Sequence, residues 1–570
     1  MSIHLQPLSP RSESQSNMSR RSSRRRSANG PRQLNPDEYA EAVKHYSSLP
    51  KGPNYIRLSN FLQNKRNSSV VVQVDLVPST RPRTPLDRQI SGYQDIATVY
   101  PLTVGDRDGE NDAANSPHAF QLPTQLYEFQ PGKESCIVFL RGFLSAAWIN
   151  NVGGRYFVDP EFFCRHLDFR SAQDKSNNFS VPSLPSSSWH LMELPVTTLG
   201  SWESSPFGTL PSSWIEKARK DGKAALLEHH HRLSKLSDSE MVVGESMIRD
   251  HYVFDEIHFA IDQRISICMQ QAEDDSQEDE KRKFRLIVWI DAGTGASSRF
   301  TYPWDIEPLK SLLHPIINYR PMIALKGHLF QPSDSADMDP STLQDSLSQL
   351  SKDYGRSLRR DTKALDPFYA LTEILQFSAN SQRQFLNMID AKLQIYTTQS
   401  PAQDHEILPH LKYTQQILYR RILDIKRVLM SMENTTRPAW TKDAGEIGKQ
   451  KSGIAARAIQ SDFNDLLDHA ESLYDRTKEA ITVLQSSISI TESHMASLQA
   501  DKAQKLTFLA AVFVPVSVAT GVFGMNFKEL KAEKVSVYWF FVVVVIVAIL
   551  IFALFKLNWN WLWRRNKKAT

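Results

Sequence analysis

The sequence predicts an α/β domain followed by a long α-helical stalk and two membrane-spanning helices near the C-terminus. Three observations carry that expectation. Short β-branched apolar runs, such as Cys136–Leu140 and Phe284–Ile290, alternate with polar segments in the first half of the chain. Residues 455–523 keep apolar side chains at alternating three- and four-residue spacing, with no glycine before Gly521. Two apolar runs then follow each other, Leu506–Phe523 and Val535–Leu557, each long enough as a helix to cross a hydrocarbon core of roughly 30 Å.

Residues 1–115 read as a disordered Ser/Arg/Pro-rich region. Arg20-Arg21-Ser22-Ser23-Arg24-Arg25-Arg26-Ser27 is a basic cluster within it, read as a solvated tail with lipid attraction or serine phosphorylation as alternatives. Val70–Val74 reads as a short strand. Residues 116–340 read as a cytosolic α/β domain. Its two apolar runs are expected as buried strands, and Asp159-Pro160 as the start of a helix reaching Leu167, because Asp caps helices well and Pro fits the first helical position. The acidic stretch 273–280 reads as a solvated loop. His229-His230-His231 reads as a surface run, because adjacent helical side chains diverge by about 100°. Asp291-Ala-Gly-Thr-Gly-Ala296 lacks the Gly-Lys-Ser/Thr of a phosphate loop and reads as a turn.

Residues 341–453 read as a cytosolic helical region, with amphipathic helices over Phe368–Phe377 and Ile417–Leu429. Thr435–Gly453, which holds Pro438, Gly445 and Gly448, is the expected break. The stalk helix is expected over 454–505. Its coiled-coil-like seam runs Phe463, Leu467, Ala470, Tyr474, Thr477, Ile481, Leu484, Ile488, Thr491, Met495, Leu498. Such a seam serves either an oligomeric axis or packing inside one protomer.

The first transmembrane helix is expected over 506–526, a loop over 527–534, the second helix over 535–557, and a basic tail over 558–570. So short a loop forces a hairpin, so both flanks share one side of the membrane. The basic tail Arg564-Arg565-Asn566-Lys567-Lys568 puts that side in the cytosol, and Met1–Gly30 has no apolar core of a secretory signal. Lys567 and Lys568 also fit a dilysine retrieval signal, leaving plasma membrane and endoplasmic reticulum both open. The first run contains Thr507, Pro515, Ser517, Thr520 and Gly521, whereas the second is aliphatic and aromatic. The first is therefore the expected inner helix and the second its lipid-facing shield. Since one hairpin cannot enclose a pore, a channel needs several copies.

Composition narrows the alternatives. A net charge of +4 over 570 residues gives no nucleic-acid footprint, and three cysteines suggest no disulfide framework. No nucleophile–base pair, phosphate loop or metal cluster stands out, so no enzyme is expected and no cofactor is implied.

Lys505 to Phe527, with its leading lysine, mid-span proline and Gly524-Met525-Asn526, resembles the first transmembrane helix of the CorA-like magnesium transporter family. The two spans, long stalk and large N-terminal α/β domain match that family's architecture, and the Asp159-Pro160-Glu161-Phe162-Phe163 and Asp366-Pro367-Phe368 helices resemble divergent fungal members. The resemblance implies a homopentamer in the lipid bilayer that passes divalent cations, magnesium above all. It places a ring of Asn526, presented by Gly524 and Met525, at the outer mouth, where neutral amides meet the hydrated ion through its outer shell. It also places Ser517 and Val514 along the pore and Leu506 near the cytosolic constriction. A regulatory metal site is implied between neighbouring cytosolic domains, and Asp462, Asp465, Asp468 and Glu471 are the candidate ligands. Phe523 stands where the family has tyrosine, and the loop lacks its acidic segment. The alternative expectation is a non-conducting, membrane-anchored oligomeric scaffold or regulator.

Overall fold

The computed structural model describes residues 34–49, 55–63, 95–103, 116–129, 134–167, 184, 187–202, 212–234, 243–271, 283–293, 311–317, 346–398, 404–435 and 446–524, with 538, 539, 541–546, 549, 553 and 556 beyond them. Two compact units emerge, residues 1–387 with 421–469, and residues 388–420 with 470–570.

The first unit is built on a sheet of β1 (Ala97–Leu102), β2 (His118–Phe120), β3 (Ser135–Arg141), β4 (Leu191–Trp202), β5 (Asp250–Val253), β6 (His258–Gln271), β7 (Phe284–Ile290) and β8 (Ser311–Leu313). The strand order is β2-β1-β3-β7-β6-β4-β8. Pairing is antiparallel throughout, apart from the central parallel pair β3–β7, in register from Cys136 opposite Arg285 to Arg141 opposite Ile290. The long strand β6 pairs with β7 over its second half and with β5 over its first. Both expected strands are therefore present, and their nearly unbroken apolar runs reflect burial on both faces.

Helices α1 (Pro36–Ser47), α2 (Ile56–Gln63), α3 (Pro123–Glu128), α4 (Ala146–Tyr156) and α5 (Pro160–Leu167) supply side chains to an apolar core, which also holds Cys136, Val138, Leu140, Ile287 and Trp289 of the sheet. Three of these elements correct the expectation of disorder over 1–115. Tyr39 and Val43 of α1, Leu58 and Phe61 of α2, and Val99 of β1 are core residues. The polar composition around them hid two short amphipathic helices. Val70–Val74 and the acidic stretch 273–280 lie outside the described residues.

Helix α5 starts as expected, with Asp159 Oδ1 accepting from the Glu161 amide at 2.9 Å. Helix α6 (Ser212–Ser234) carries the histidine run, but not wholly at the surface: His229 is buried, and His230 Nε2 lies 2.6 Å from the Ile248 carbonyl. After α7 (Ser346–Asp353) and α8 (Arg360–Leu365) come three long helices, α9 (Pro367–Thr398), α10 (Asp404–Thr435) and α11 (Glu446–Gly524). Asp366 caps α9, its Oδ1 accepting from the Tyr369 amide at 2.8 Å. The break between α10 and α11 is shorter than the sequence suggests, since Gly448 and Gly453 are helical.

Within the first unit, α9 seals an edge of the sheet. The Thr197 amide of β4 donates to Ser381 Oγ at 2.6 Å, and Ser381 Oγ donates back to the Thr197 carbonyl at 3.0 Å. Ser378 Oγ and Gln382 Nε2 donate to the Pro195 carbonyl at 2.7 and 3.2 Å. Three polar side chains on one helical face thus take the place of a neighbouring strand and satisfy groups that would otherwise be an open edge.

In the second unit the ends of α9 and α10 meet the middle of α11. Arg476 pairs with Asp390 at 2.7 Å, and the Tyr419 and Tyr474 rings lie 6.3 Å apart. Of the predicted seam, Phe463, Ala470, Thr477 and Ile481 are buried in the chain itself, whereas Thr491, Met495 and Leu498 are exposed. The seam therefore serves packing inside the protomer over its first half only.

Candidate functional site

The candidate site is the C-terminal third of α11. Among the described residues no helix is long and apolar enough to cross a membrane. Parts of the run 506–523 and most of the second run fall outside the residues whose side chains are described, although residues 538, 539, 541–546, 549, 553 and 556 are helical. Many described side chains of both runs stand out in another way: they are large, apolar and exposed. Leu506 is 67% exposed and Val514 58%, with Phe508, Leu509, Phe513 and Val518 alongside, and Tyr538, Trp539, Phe541, Val545 and Ile549 on the second run. A monomer in water rarely leaves so many apolar groups uncovered.

Helix geometry sorts the expected pore residues. At about 100° per residue, Leu506, Ser517 and Gly524 fall within about 20° of one another around α11, and Val514 lies about 80° away. The hydroxyls differ in their bonding. Thr507 Oγ1 donates to the Ala503 carbonyl at 2.8 Å, and Thr520 Oγ1 to the Val516 carbonyl at 2.8 Å, so both are satisfied by their own helix. The exposed Ser517 hydroxyl makes no hydrogen bond among the described residues. Gly524 is the last residue of α11, and a Cβ there would meet nothing within 4 Å. It has no left-handed φ. Met525 and Asn526 lie outside the described residues.

The acidic candidates occupy the first half of α11. Asp462, Asp465 and Asp468 are exposed and Glu471 is half-buried. Asp465 Oδ2 is held at 2.7 Å by Arg383 Nη1 of α9. Partial burial and the neighbouring charge of Asp465 raise the Asp462 carboxyl, as expected of two carboxylates one helical turn apart. Among the described residues no group of three His, Cys, Asp or Glu side chains could hold a metal.

Sequence reasoning missed two buried ionic clusters. Asp291, expected in a turn, is fully buried at the end of β7. Arg249 grips it through two bonds of 2.7 Å, the Arg264 amide donates to it at 2.7 Å, and His166 Nε2 lies 3.0 Å away. His166 Nδ1 is 2.8 Å from Ser266 Oγ, and its ring stacks on Trp289 at 3.9 Å. Burial pushes the His166 pKa down to about 4, outweighing the pull of Asp291, whose own carboxyl is held well below the usual range by Arg249 first and His166 second, against the upward push of burial. The chain of Ser266, His166 and Asp291 has the contacts of a hydrolytic triad, but all three are buried, so no substrate carbonyl can reach the serine. It is a structural network. The second cluster centres on Asp262, which accepts from Thr197 Oγ1 at 2.8 Å, Tyr252 Oη at 2.9 Å and Arg421 Nη2. Only the polar residues buried in otherwise apolar strands hinted at either cluster.

A family model described as CorA-like Mg2+ transporter protein matches residues 342–557. No curated protein sequence matches the chain. Among solved structures, the complete CorA magnesium transporter from Methanocaldococcus jannaschii matches at 12% identity and a TM-score of 0.24, covering 63% of this chain and 97% of that one. The matched span runs from just before α7 through α9, α10 and α11 and over both apolar runs, and it contains the Gly-Met-Asn sequence. Residues 342–557 are thus similar to the CorA-like Mg2+ transporter family.

Proposed function

We propose that the chain is a divalent-cation channel or transporter, with magnesium as cargo and residues 506–526 lining the path. The observation that carries this reading is the run of exposed apolar side chains on the last turns of α11 and on the second apolar run. Lipid on one face and further copies of the chain on the other would cover them. The two runs form a membrane hairpin with both termini in the cytosol, and five copies surround an axis. On the inner face, Leu506 forms the cytosolic constriction. Val514 and Ser517 line the path, with the unbonded Ser517 hydroxyl free to meet water. Asn526, following Gly524 and Met525, forms the outer ring. An amide oxygen there holds the hydrated ion without stripping its tightly bound water, and the tight dehydration threshold of magnesium favours such outer-shell recognition.

Regulation follows from the same assembly. Among the described residues Asp462, Asp465, Asp468 and Glu471 form no complete metal site, and a regulatory ion would draw its remaining ligands from a neighbouring copy. The Arg383 contact to Asp465 would compete with that ion.

The test is flux. Purified protein in liposomes loaded with a magnesium dye should take up the ion, and Asn526→Ala should abolish uptake while leaving assembly intact. Native mass spectrometry should give a species of five copies. Uptake by Asn526→Ala equal to wild type would remove the ring. Absence of uptake by a correctly assembled pentamer would favour the scaffold reading instead.

A further inference from the structure

Two arginines of the first unit, Arg155 and Arg285, lie near one tyrosine, Tyr156. Arg155 sits in the last turn of α4 and is 9% exposed, and its Nη2 donates to the Phe129 carbonyl at 2.8 Å. Arg285 is the second residue of β7, in parallel register with Cys136 of β3, and its guanidinium lies over the Tyr156 ring at 4.5 Å. Both cations act on the same two side chains. Burial raises both the Cys136 thiol and the Tyr156 hydroxyl, and both Arg285 and Arg155 pull each of them back down, so each guanidinium lies within electrostatic reach of the same two atoms.

Neither guanidinium makes an ion pair among the described residues; Arg285 also lies beside the Cys136 thiol and Arg155 beside the Tyr156 hydroxyl. The lack of an ion pair is costly, since cations taken partly out of water need a counter-charge. Two polar atoms here are also unpaired. Tyr156 is 2% exposed and its hydroxyl has no hydrogen-bond partner, and Arg285 Nε is buried without one. Arg285 itself is only half-buried, which leaves a way in from solvent.

We propose that Arg155, Arg285 and Tyr156 form a binding site for a small phosphate-bearing anion, at the N-terminal ends of β3 and β7. A phosphate oxygen pair matches the planar fork of a guanidinium, and a third oxygen can accept from the tyrosine hydroxyl. One bound anion therefore supplies the missing negative charge and takes up both unpaired donors. The site stands apart from the transport reading and does not depend on it.

Isothermal titration calorimetry on the full chain in detergent tests the site with two probes. Inorganic pyrophosphate represents a soluble phosphate, and dihexanoyl phosphatidic acid below its micelle concentration represents a lipid headgroup. Saturable binding of one or both is expected, weakened at least tenfold by Arg155→Gln and by Arg285→Gln. Tyr156→Phe removes only an unpaired hydroxyl, so it should fold as wild type and bind several-fold more weakly. Arg383→Gln, which removes a guanidinium that already pairs with Asp465, should bind as wild type. Which probe binds identifies the source of the anion. No saturable binding of either probe to wild type overturns the site, and so does binding that Tyr156→Phe and Arg285→Lys leave unchanged.

Discussion

Arg421 of α10 reaches Asp262 of β6 and pairs with it inside the first unit, joining a long helix to the sheet through a contact with almost no access to water. The carboxylate of the pair is fully equipped, whereas Arg421 Nε is buried without a hydrogen-bond partner. Tyr252 and Thr197 take the remaining carboxylate positions, and the guanidinium lies over the Phe385 ring at 5.1 Å.

Removing one partner should therefore hurt more than removing both. Arg421→Met leaves Asp262 charged and buried, with an expected loss of about 3–5 kcal/mol of unfolding free energy. The double variant Arg421→Met with Asp262→Leu should recover a large part of that loss. Urea unfolding of wild type, both single variants and the double variant measures the difference, and an additive double variant would show the two residues to be uncoupled.

The edge seal makes a local prediction. Ser381→Ala removes both bonds to Thr197, leaving a buried amide and carbonyl without partners at an expected cost of about 1–3 kcal/mol. Hydrogen exchange should show the Thr197 amide opening at least tenfold faster, while amides of the β3–β7 pair hold their protection.

The buried histidines set an acid limit. His166 and His251 both have folded pKa values of about 4 against 6.5 for a free imidazole, burial being the leading cause in each. Between those values the unfolded chain binds protons that the folded chain refuses. Stability is thus full above pH 6.5 and falls as pH drops towards 4, by about 1.4 kcal/mol per pH unit for each histidine. Asp291 adds nothing in that window, because its depressed carboxyl loses its contribution only at still lower pH. His166→Gln should halve the slope of unfolding free energy against pH between 4 and 6.5. An unaltered slope would mean that His166 is already charged in the fold.

For the acidic face of α11, the proposed function predicts that wild type closes at millimolar magnesium on the cytosolic side and that substituting Asp462, Asp465 and Asp468 together by asparagine keeps flux active there. Loss of the exposed Arg383 pair should cost under about 1 kcal/mol, so the melting temperature serves as a control that should barely move. Unchanged inhibition in this variant would place the sensor elsewhere.

The long-range periodicities of the chain were legible from sequence, and its polar core was not. Phe284–Ile290 declares itself as a strand because seven consecutive apolar or β-tolerant residues leave little else to form. Asp159-Pro160 and Asp366-Pro367 declare helix starts because their chemistry is local. Asp291 looked like a turn residue for the same reason: its glycine-rich neighbours are local, whereas Arg249, His166 and Arg264, which make it an anchor, arrive from distant segments. The two short helices α1 and α2 were hidden by length, since eight to twelve residues in a polar context show only two or three apolar contacts each. In α11 the spacing was right but its use was divided, and no pattern in the sequence marks where protomer packing ends and exposure begins.

The parallel pairing of β3 with β7 also constrains how the protein is made. Ser135–Arg141 has no neighbour on its inner side until Phe284–Ile290 has left the ribosome, roughly 150 residues later. Until then the apolar faces of α1, α2, α4 and α5 have only half a sheet to cover them, and nascent chains of intermediate length present sticky surface to the cell. Synthesis therefore passes through a long window in which chaperone capture competes with aggregation. The window closes before the first apolar run of α11 has been translated, so the sheet can close ahead of any delivery to a membrane.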